Sequence, residues 1–571
     1  SSVKYWFDKD LTSVTETIYQ SGILQLDLSK VKEGEHEFYY QVVNSKGEVS
    51  PVRSAMIERR LYDIYISTTT QYTQEIINAE TLLQSKPDLK LHYNAANTEK
   101  RGHLTLAEGS TLSLGKFVQT ANWGSIVGNQ KYTANGADYY HPTTFINKGF
   151  MRADSVIVKQ QLSADRWYFI SLPFNADVNK IGMPNGTYWA LRTYDGAQRA
   201  LGYMDNTWVN LQRNETMNAH KGYIIQVTSE ANDKHIELTF RANNDTKKND
   251  IFTADSMSIP LEEHLSEFAH NRSWNLIGNP YPSFFDTQYI ESQGTITVWN
   301  GNGYSAYSLA DDHYVLMPFE AFFIQKPVDS STLWFDTQGR LNTAEEAQVA
   351  AHANKRIRSK KGEERKLFNF VLKDNNNVET DRTRIVLNEQ ATLTYETSRD
   401  AAKFMEDKPR VAQLFSVDAG VKYAINERPI NDGLAVLSMV IPENGTYTLS
   451  LENGDDKEVM LFDTKTGNKH LLDSNGYTFD AEAGNYNGRF IVSFDGNITD
   501  VAQVNATDEG EIKTVGNALS FNFIKPKDIK VYAADGRLYY RNHTAKSGKV
   551  TLDSGVYIVS INGVATKIMI Q

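Results

Sequence analysis

The sequence predicts an all-β, multidomain chain of β-sandwich modules, Ig-like or jelly-roll-like, and three observations support this fold class. Apolar and polar residues alternate with a period of two in short runs such as 37–43 (EFYYQVV) and 489–494 (RFIVSF), which is typical of strands with one buried face. Asn-Gly and Asp-Gly pairs such as Asn300-Gly301 separate the runs and favour tight hairpin turns. Helical patterns are few: the better one is 343–353 (TAEEAQVAAHA), and 74–84 is weaker.

Length, charge and cysteine content narrow the classes of protein. The 571 residues predict roughly three to five domains. A net charge of −11 argues against nucleic-acid binding, because phosphate recognition needs a basic face. The absence of cysteine excludes disulfides, thiolate metal sites and cysteine nucleophiles. Without a run of 18 apolar residues no transmembrane segment is predicted, and the first ten residues do not read as a signal peptide, so we expect a mature or trimmed start.

The first two modules have different strand patterns. Residues 1–60 are predicted to form an Ig-like β module, in which the turn Ser45-Lys46-Gly47 separates alternating runs. Residues 61–165 are predicted to form a second β domain. Within it, 102–115 (GHLTLAEGSTLSLG) and 146–159 (INKGFMRADSVIVK) alternate and carry glycine at their breaks, which suggests a short β-solenoid-like segment or a curled sheet.

An internal repeat defines the third module, 166–345. Three elements recur in the same order: Trp167, Ile170, Pro173 and Phe174 match Trp274, Ile277, Pro280 and Tyr281; Tyr194-Asp195-Gly196 matches Trp299-Asn300-Gly301; and 222–226 (GYIIQ) matches 321–325 (AFFIQ). In each copy proline ends a strand, because it cannot donate to a sheet. The pattern predicts a β-sandwich built from two related repeats, with the tryptophans as packing residues.

The remaining modules follow a basic run. Residues 346–497 are predicted to form a β-sandwich preceded by the linker 355–366 (KRIRSKKGEERK). We interpret this run as a solvated domain boundary, and the alternative is a contact with an anion or a surface polysaccharide. Residues 498–571 form the last predicted β-sandwich.

Catalytic and metal-binding patterns are scarce. No Gly-x-Ser-x-Gly, Walker or HExxH motif occurs, and 301–306 (GNGYSA) predicts a hairpin turn because no helix follows it. Asp311-Asp312-His313 is interpreted as a solvated loop, with a metal ion held together with distant partners as the alternative. Residues 374–381 (DNNNVETD) predict a plain turn, with weak calcium binding as the alternative. We predict no catalytic residue, no metal and no cofactor.

Three aromatic residues around the Asn-Gly turn are the candidate binding site. Trp299, Tyr304 and Tyr307 could stack on sugar rings while nearby Asn and Asp side chains bond the hydroxyls. The alternative interpretation is hairpin packing.

The end of the chain carries a family resemblance. It contains 529–537 (IKVYAADGR), with the turn Asp535-Gly536-Arg537, then the strand start Gly555-Val556-Tyr557 and the basic-apolar run 567–571 (KIMIQ). These landmarks resemble a type IX secretion system type A-like C-terminal sorting domain of Bacteroidota, and upstream runs such as 274–282 (WNLIGNPYP) look like uncharacterised β modules of the same surface proteins. The resemblance implies a small C-terminal β-sandwich, secretion or surface-anchoring machinery as a partner, and an extracellular or outer-membrane surface location on a Gram-negative bacterium.

The resemblance also bears on modification and function. Ser155 and Ser256 fit the Asp-Ser-apolar pattern of O-glycosylation in these bacteria, and ordinary strand-edge positions are the alternative. The leading hypothesis is a non-enzymatic secreted or cell-surface protein in adhesion, matrix assembly or contact with surface glycans or other surface proteins. The alternative is the C-terminal accessory part of a larger exported enzyme, such as a glycan-degrading hydrolase. A third hypothesis is a glycosidase whose two carboxylates meet only in space.

Overall fold

The computed structural model confirms the all-β prediction. It describes residues 1–19, 34–59, 102–122, 142–230, 235–243, 253–292, 294–343, 365–392, 394–406, 409–418, 421–430, 433–452, 458–494, 504–507, 510–515, 517–533, 538–553, 555–561 and 564–570, with short pieces at 26, 31, 63–66, 69–72, 88–91 and 346. Both predicted helices, 74–84 and 343–353, and the basic run 355–366 lie wholly or almost wholly outside the described residues. None of the described helices is long and apolar enough to cross a bilayer.

The first sheet is antiparallel, with the order β2-β1-β3-β4. Its strands are β1 (Ser2–Phe7), β2 (Thr15–Ile18), β3 (Gly34–Val43) and β4 (Arg53–Arg59). Tyr5, Trp6 and Phe38 are buried, and Gly47 forms the predicted turn with φ of 82°.

The next strands form a β-solenoid-like stretch, which confirms that part of the fold prediction. They are β5 (Asp63–Ile66), β6 (Thr69–Tyr72), β7 (Asp88–Leu91), β8 (His103–Leu106), β9 (Thr111–Asn122), β10 (Thr144–Asn147) and β11 (Phe150–Ser163). Parallel pairing stacks β5-β7-β9-β11 in one sheet and β6-β8-β10 in another. Leucine and phenylalanine side chains such as Leu104 and Phe117 fill the space inside the coil.

The two sequence repeats form two sheets of the same connectivity. The first repeat contains β12 (Trp167–Ser171), β13 (Ala176–Asp177), β14 (Thr187–Tyr194), helix α1 (Gly196–Ala200), β15 (Trp208–Asn210), β16 (Thr216–Met217), β17 (Gly222–Ser229) and β18 (His235–Arg241). The second contains β19 (Met257–Pro260), β20 (Trp274–Gly278), β21 (Phe284–Asp286), β22 (Ile290–Glu291), β23 (Thr295–Trp299), β24 (Tyr304–Ser308), β25 (Val315–Leu316), β26 (Ala321–Gln325), β27 (Thr332–Phe335) and β28 (Arg340–Leu341). The main sheets have the orders β12-β17-β14-β15 and β20-β26-β23-β24.

Equivalent residues also pair in equivalent register. Trp167 lies opposite Gln226 in the first sheet, and Trp274 lies opposite Gln325 in the second. The turns differ between the copies. Asn300-Gly301 makes the predicted hairpin between β23 and β24, whereas Asp195-Gly196 does not make a hairpin, because the Asp195 carboxylate accepts the backbone N–H of Ala197 and Gln198 and begins α1.

The strands of residues 365–493 form a large sheet, which we call the third sheet because it follows the main sheets of the two repeats. Its order is β37-β36-β39-β34-β32-β33-β30-β29-β35-β38, with β31 paired to β33. The strands are β29 (Arg365–Lys373), β30 (Glu379–Asn388), β31 (Ala401–Ala402), β32 (Gln413–Asp418), β33 (Val421–Pro429), β34 (Leu434–Ile441), β35 (Gly445–Glu452), β36 (Val459–Asp463), β37 (Lys469–Leu472), β38 (Tyr477–Ala481) and β39 (Gly484–Ser493). Its apolar faces enclose a core of their own that includes Phe370, Leu437 and Phe490.

The C-terminal sheet has the order β40-β41-β42-β44-β45, with β43 paired to β42. Its strands are β40 (Val504–Thr507), β41 (Gly510–Val515), β42 (Ala518–Ala533), β43 (Leu538–Thr551), β44 (Gly555–Ile561) and β45 (Val564–Ile570). Gly555, Val556 and Tyr557 begin β44, where Tyr557 lies opposite Ala533 and Ile568. Asp535, Gly536 and Arg537 lie outside the described residues.

Short 3-10 turns also occur among the described residues. They span Leu11–Ser13, Val178–Lys180, Met204–Asn206, Ala269–Asn271, Thr287–Tyr289 and Thr337–Gly339.

Candidate functional site

The two repeats pack against each other through reciprocal backbone hydrogen bonds. The Ser171 N–H donates to the Phe319 carbonyl at 2.9 Å, and the Gly278 N–H donates to the His220 carbonyl at 3.0 Å. Ser171 and Gly278 are equivalent in the repeat, as are His220 and Phe319. The two bonds are therefore related by an approximate two-fold axis between the sheets.

The strands approach each other closely at this axis. A Cβ atom on Gly278 would lie 2.0 Å from the Ser171 Cβ, so only glycine fits there. His220 and Phe319 both adopt left-handed backbone, with φ of 63° and 64°, which is uncommon for non-glycine residues. The duplicated turn is thus the same strained structure in both copies, and only its side chains differ.

One of the two equivalent interfaces is filled by side chains, and we call it the closed side. The Trp299 Nε1–H donates to the Trp167 carbonyl at 2.9 Å, and its ring packs on Phe169. Phe319 is fully buried and Glu320 is 4% exposed. These contacts bury Phe319 and Glu320, the residues equivalent to His220 and Lys221.

Glu320 is held inside the closed side by two donors. Its Oε1 accepts from the Tyr314 hydroxyl at 2.7 Å, and its Oε2 accepts from the Met317 N–H at 2.8 Å. Burial disfavours the charged carboxylate and raises its pKa to about 7.

The other interface contains a cleft of about 260 Å³, which we call the open side. Its lining residues come from both repeats and include the apolar Ile259, Leu276 and Ile277 and the polar Asn218, Lys221 and Glu262. His220 and Lys221 stand here where the closed side has Phe319 and Glu320. Substitution of two positions of the repeat therefore accompanies the change from a filled interface to a cleft.

His220 is the unusual side chain of the cleft. Its Nδ1 atom is buried without a hydrogen-bond partner, and burial lowers the pKa of the imidazole to about 4. The ring is therefore neutral at physiological pH. A buried polar atom without a partner is costly, and the residue that carries it is one of those that line the cleft.

The framework around the cleft is held rigidly. The Asn275 Nδ2–H₂ group donates to the carbonyls of Glu262 and Ser273, both at 2.9 Å, and its Oδ1 accepts the Glu262 N–H at 2.7 Å. Helix α1 brings Gly196 against the Trp274 carbonyl, where a Cβ would lie at 2.4 Å. The wall of the cleft is thus fixed before any ligand enters.

The predicted aromatic platform lies at packing positions. The Trp299 and Tyr304 rings are 5.0 Å apart and belong to a cluster that includes Phe404. Tyr307 packs on Tyr314 at 4.6 Å, and burial raises the pKa of Tyr307 to about 12. Their ring faces contact other rings, as the packing interpretation expects, and glycan contact at these residues stays a prediction.

The acidic cluster in the second repeat forms ion pairs, so both the solvated-loop and the metal interpretations are wrong. Asp311 binds Arg365 bidentately at 2.7 and 3.0 Å, and Asp312 binds Arg384 at 2.8 and 2.7 Å. Each of these four side chains is at most 16% exposed. The described residues contain no group of three or more potential metal ligands.

A buried arginine strengthens the same junction. The Arg199 guanidinium of the first repeat lies 4.8 Å from the Trp274 ring of the second repeat and 4.3 Å from the ring of Phe404, which follows β31. Cation–π contacts of this kind are stronger when water is excluded. The two repeats and the sheet of residues 365–494 therefore share one aromatic cluster.

Three further sequence predictions can be placed. Residues 374–378 form the predicted turn, since the Asp374 Oδ1 accepts the N–H groups of Asn376 and Val378 at 2.9 Å. Ser155 lies half-buried inside β11, and the Ser256 hydroxyl accepts the Thr337 N–H at 3.3 Å. O-glycosylation at these two serines stays a prediction.

Sequence reasoning missed the cleft because its residues are separated along the chain and include no known motif. The repeat alignment contained a usable signal, since it places His220 and Lys221 opposite Phe319 and Glu320. The cleft has one carboxylate among its lining residues, Glu262, whereas glycoside hydrolysis uses a pair. This observation counts against the glycosidase hypothesis at the cleft.

Comparison with known proteins gives one family match. A family model described as a domain of unknown function (DUF8693) matches residues 287–494, and no curated protein matches. The matched region contains both halves of the Asp311–Arg365 and Asp312–Arg384 pairs. A solved structure described as "Biofilm associated protein - BSP domain" is 10% identical, covers 72% of this chain and 91% of its own, and has a TM-score of 0.11, which is too low to support any inference.

Proposed function

We propose that this chain is a non-enzymatic, modular β protein of the cell surface or the extracellular space, with a role in adhesion, matrix assembly or glycan contact. The observation that carries the proposal is a preformed cleft on a rigid body. The two repeats and the third sheet are joined by a shared aromatic cluster and by bidentate ion pairs. A site fixed on such a scaffold loses little entropy when it binds.

The ion pairs explain why the scaffold is rigid. Bidentate arginine–carboxylate contacts fix orientation as well as distance. Arg365 also binds Glu427 at 2.8 Å, which extends the network into the third sheet. Modules joined in this way hold one arrangement under load, as an adhesin or matrix protein requires.

The C-terminal module supports the proposed location. Its resemblance to sorting domains implies secretion or surface-anchoring machinery as a partner, and an extracellular or outer-membrane surface destination.

The C-terminal module also contacts the third sheet, since the Asn522 Nδ2–H donates to the Asp418 Oδ1 at 3.3 Å. Glu511, 3% exposed, lies beside Asp418 and has its pKa raised to about 7, first by burial and then by that carboxylate.

Fractionation of the producing cells tests the location. We expect the full chain in the surface or medium fraction, and a chain that lacks residues 498–571 inside the cell. A chain that lacks residues 1–60 is the matched control and should still be exported. Recovery of the full chain in the cytoplasm would contradict the proposal.

A glycan array probed with the intact protein tests the binding role. We expect binding to at least one glycan class, with no release of sugar from the bound glycan on prolonged incubation. Release of reducing sugar by the purified chain would contradict a non-enzymatic role.

A further inference from the structure

We propose that the cleft on the open side of the repeat pair binds one neutral sugar unit of a glycan. This inference rests on the proposed function and assigns it to a site. The site differs from the aromatic platform predicted at Trp299, Tyr304 and Tyr307.

The first argument is the difference between equivalent positions. The two interfaces share strand order, register, reciprocal hydrogen bonds and left-handed turns. On the closed side Phe319 and Glu320 are buried in packing and hydrogen bonds. On the open side His220 and Lys221 line a cleft. The closed side shows that side chains can fill this backbone arrangement. The cleft on the open side therefore does not follow from the fold alone.

The second argument is the chemistry of the lining. Ile259, Leu276 and Ile277 are apolar residues of the lining, and Asn218, Lys221 and Glu262 add hydrogen-bond donors and acceptors to it. Pockets with an apolar lining and a few placed polar groups are the usual form of small-molecule sites. A sugar ring has the matching surfaces, because its C–H groups form an apolar face and its hydroxyls lie at the edge.

The third argument is the charge of the cleft. Lys221 and Glu262 carry opposite charges, and His220 is neutral because burial opposes its protonation. The lining is therefore close to neutral overall, which favours an uncharged ligand over an anion or a cation.

The fourth argument is the buried imidazole nitrogen. Nδ1 of His220 has no partner among the described residues and is itself closed to solvent, so a hydroxyl regains a hydrogen bond there when the ring turns Nδ1 toward the cleft. A hydroxyl both donates and accepts, so it satisfies either tautomer of the ring. Sugars supply several hydroxyls on one rigid ring.

Two substitutions test the site in the full-length protein. Asn218→Trp fills the cleft from an exposed position, so the fold is expected to survive. His220→Phe copies the closed side, where phenylalanine has the same left-handed backbone. Glu237→Ala, at an exposed position outside the cleft lining, is the control, and Trp299→Phe tests the aromatic platform.

The probes are free glucose, galactose and N-acetylglucosamine, titrated by NMR and calorimetry, together with the glycan array. We expect at least one sugar to bind the parent protein, and both cleft variants to weaken that binding at least ten-fold. Glu237→Ala should bind as the parent does, and loss of binding in Trp299→Phe alone would place the sugar at the aromatic platform and overturn the cleft assignment. Glucuronate and glucosamine are charged probes, and tighter binding of either one would overturn the assignment to a neutral ligand.

The failure of this inference is distinguishable from failure of the proposed function. Equal glycan binding by the parent and by a folded Asn218→Trp variant would place the binding elsewhere and overturn the cleft assignment alone. Absence of sugar binding by a parent protein found at the cell surface would overturn the cleft assignment and leave a matrix role. Only the fractionation result decides the location.

Discussion

The two interfaces between the repeats share one backbone arrangement, but their side chains fill it differently. On the closed side, Trp299, Phe319 and Glu320 fill the contact, and on the open side His220 and Lys221 line a cleft. The comparison teaches that a duplicated sheet pair can keep one interface for stability and change the other for binding. Interface filling and ligand access are thus separate properties of side chains on a shared framework.

The repeats also differ in the contacts that they make with the rest of the chain. The second repeat supplies Asp311 and Asp312 to the third sheet, whereas the first supplies Arg199 to the aromatic cluster. The stability of the assembly should therefore depend on the second repeat through ion pairs, and on the first through packing.

Loss of the ion pairs is the largest expected effect. In Asp312→Ala the Arg384 guanidinium loses its carboxylate at a mostly buried position, and we expect the free energy of unfolding to fall by about 4 kcal/mol. Urea denaturation followed by tryptophan fluorescence measures it. Glu237→Ala is the control, because Lys159–Glu237 is a 2.8 Å pair with both side chains more than a third exposed, and its loss should cost less than about 1 kcal/mol. Equal effects would show that the junction is solvated.

Substitution at the two-fold axis tests the shared framework itself. In Gly278→Val the Cβ atom overlaps the Ser171 side chain, and we expect a loss of about 3 kcal/mol from forced displacement of the strands. Thermal and urea denaturation measure the change. Gly294→Ala has no atom nearer than 3.5 Å to its Cβ and should change stability by less than about 0.5 kcal/mol. A tolerated Gly278→Val would mean that the repeats do not pack closely in solution.

The two sides should respond to pH in opposite directions. Glu320 has a pKa of about 7 in the folded state, above its ordinary value, so the folded protein binds the proton more tightly and stability falls as pH rises from about 4.5 to 7. The expected loss is on the order of 2–3 kcal/mol. His220 has a folded pKa of about 4, below its ordinary value, so its contribution falls as pH drops from about 6.5 to 4.

Glu320→Gln isolates the closed-side contribution. The amide keeps an acceptor for the Met317 N–H and cannot ionise, so the variant should lose less stability between pH 4.5 and 7 than the parent does. Denaturation midpoints across this range measure it. Lys221→Gln, at the equivalent position of the first repeat, removes no carboxyl and should keep the parental dependence. If the pH dependence of stability were unchanged in Glu320→Gln, a raised pKa of Glu320 could not be its cause.

The smallest expected effect is loss of one hydrogen bond on the closed side. Trp299→Phe keeps an aromatic ring and removes the bond from Nε1 to the Trp167 carbonyl, so we expect a loss of about 1 kcal/mol. Denaturation measures it, and the glycan array should be unchanged. Loss of glycan binding in this variant, with the fold intact, would favour the aromatic platform over the cleft.

Sequence patterns over a few neighbouring residues predicted the strands and turns, because local interactions determine these features. Alternation predicted strands, and Asn300-Gly301 predicted a hairpin that the Asn300 side chain caps at the Asn302 and Gly303 N–H groups. The repeat of Trp167 and Trp274 predicted two related β units, and the structure shows that their main sheets have the same order. A second repeated sequence also predicts local structure: 285–288 and 335–338 both read FDTQ, and in each the aspartate caps a 3-10 turn.

Contacts between distant segments were not predictable in this way. Asp311-Asp312-His313 suggested a loop or a metal site, because Arg365 and Arg384 lie more than fifty residues away in the chain. Asp195-Gly196 predicted a hairpin because the dipeptide is compatible with both a turn and a helix start, and the contact of α1 with β20 is tertiary.

The sequence by itself determined that the chain is all-β, that two of its units are copies, and where several of its turns lie. These features depend on alternation, on turn residues and on repetition, which act over a few neighbouring positions. Only the tertiary structure decided which interface between the copies is open, where the acidic cluster finds its partners, and that the Nδ1 atom of His220 is buried beside a cleft. Burial and pairing depend on packing between elements far apart in the chain, and packing is a property of the assembled fold.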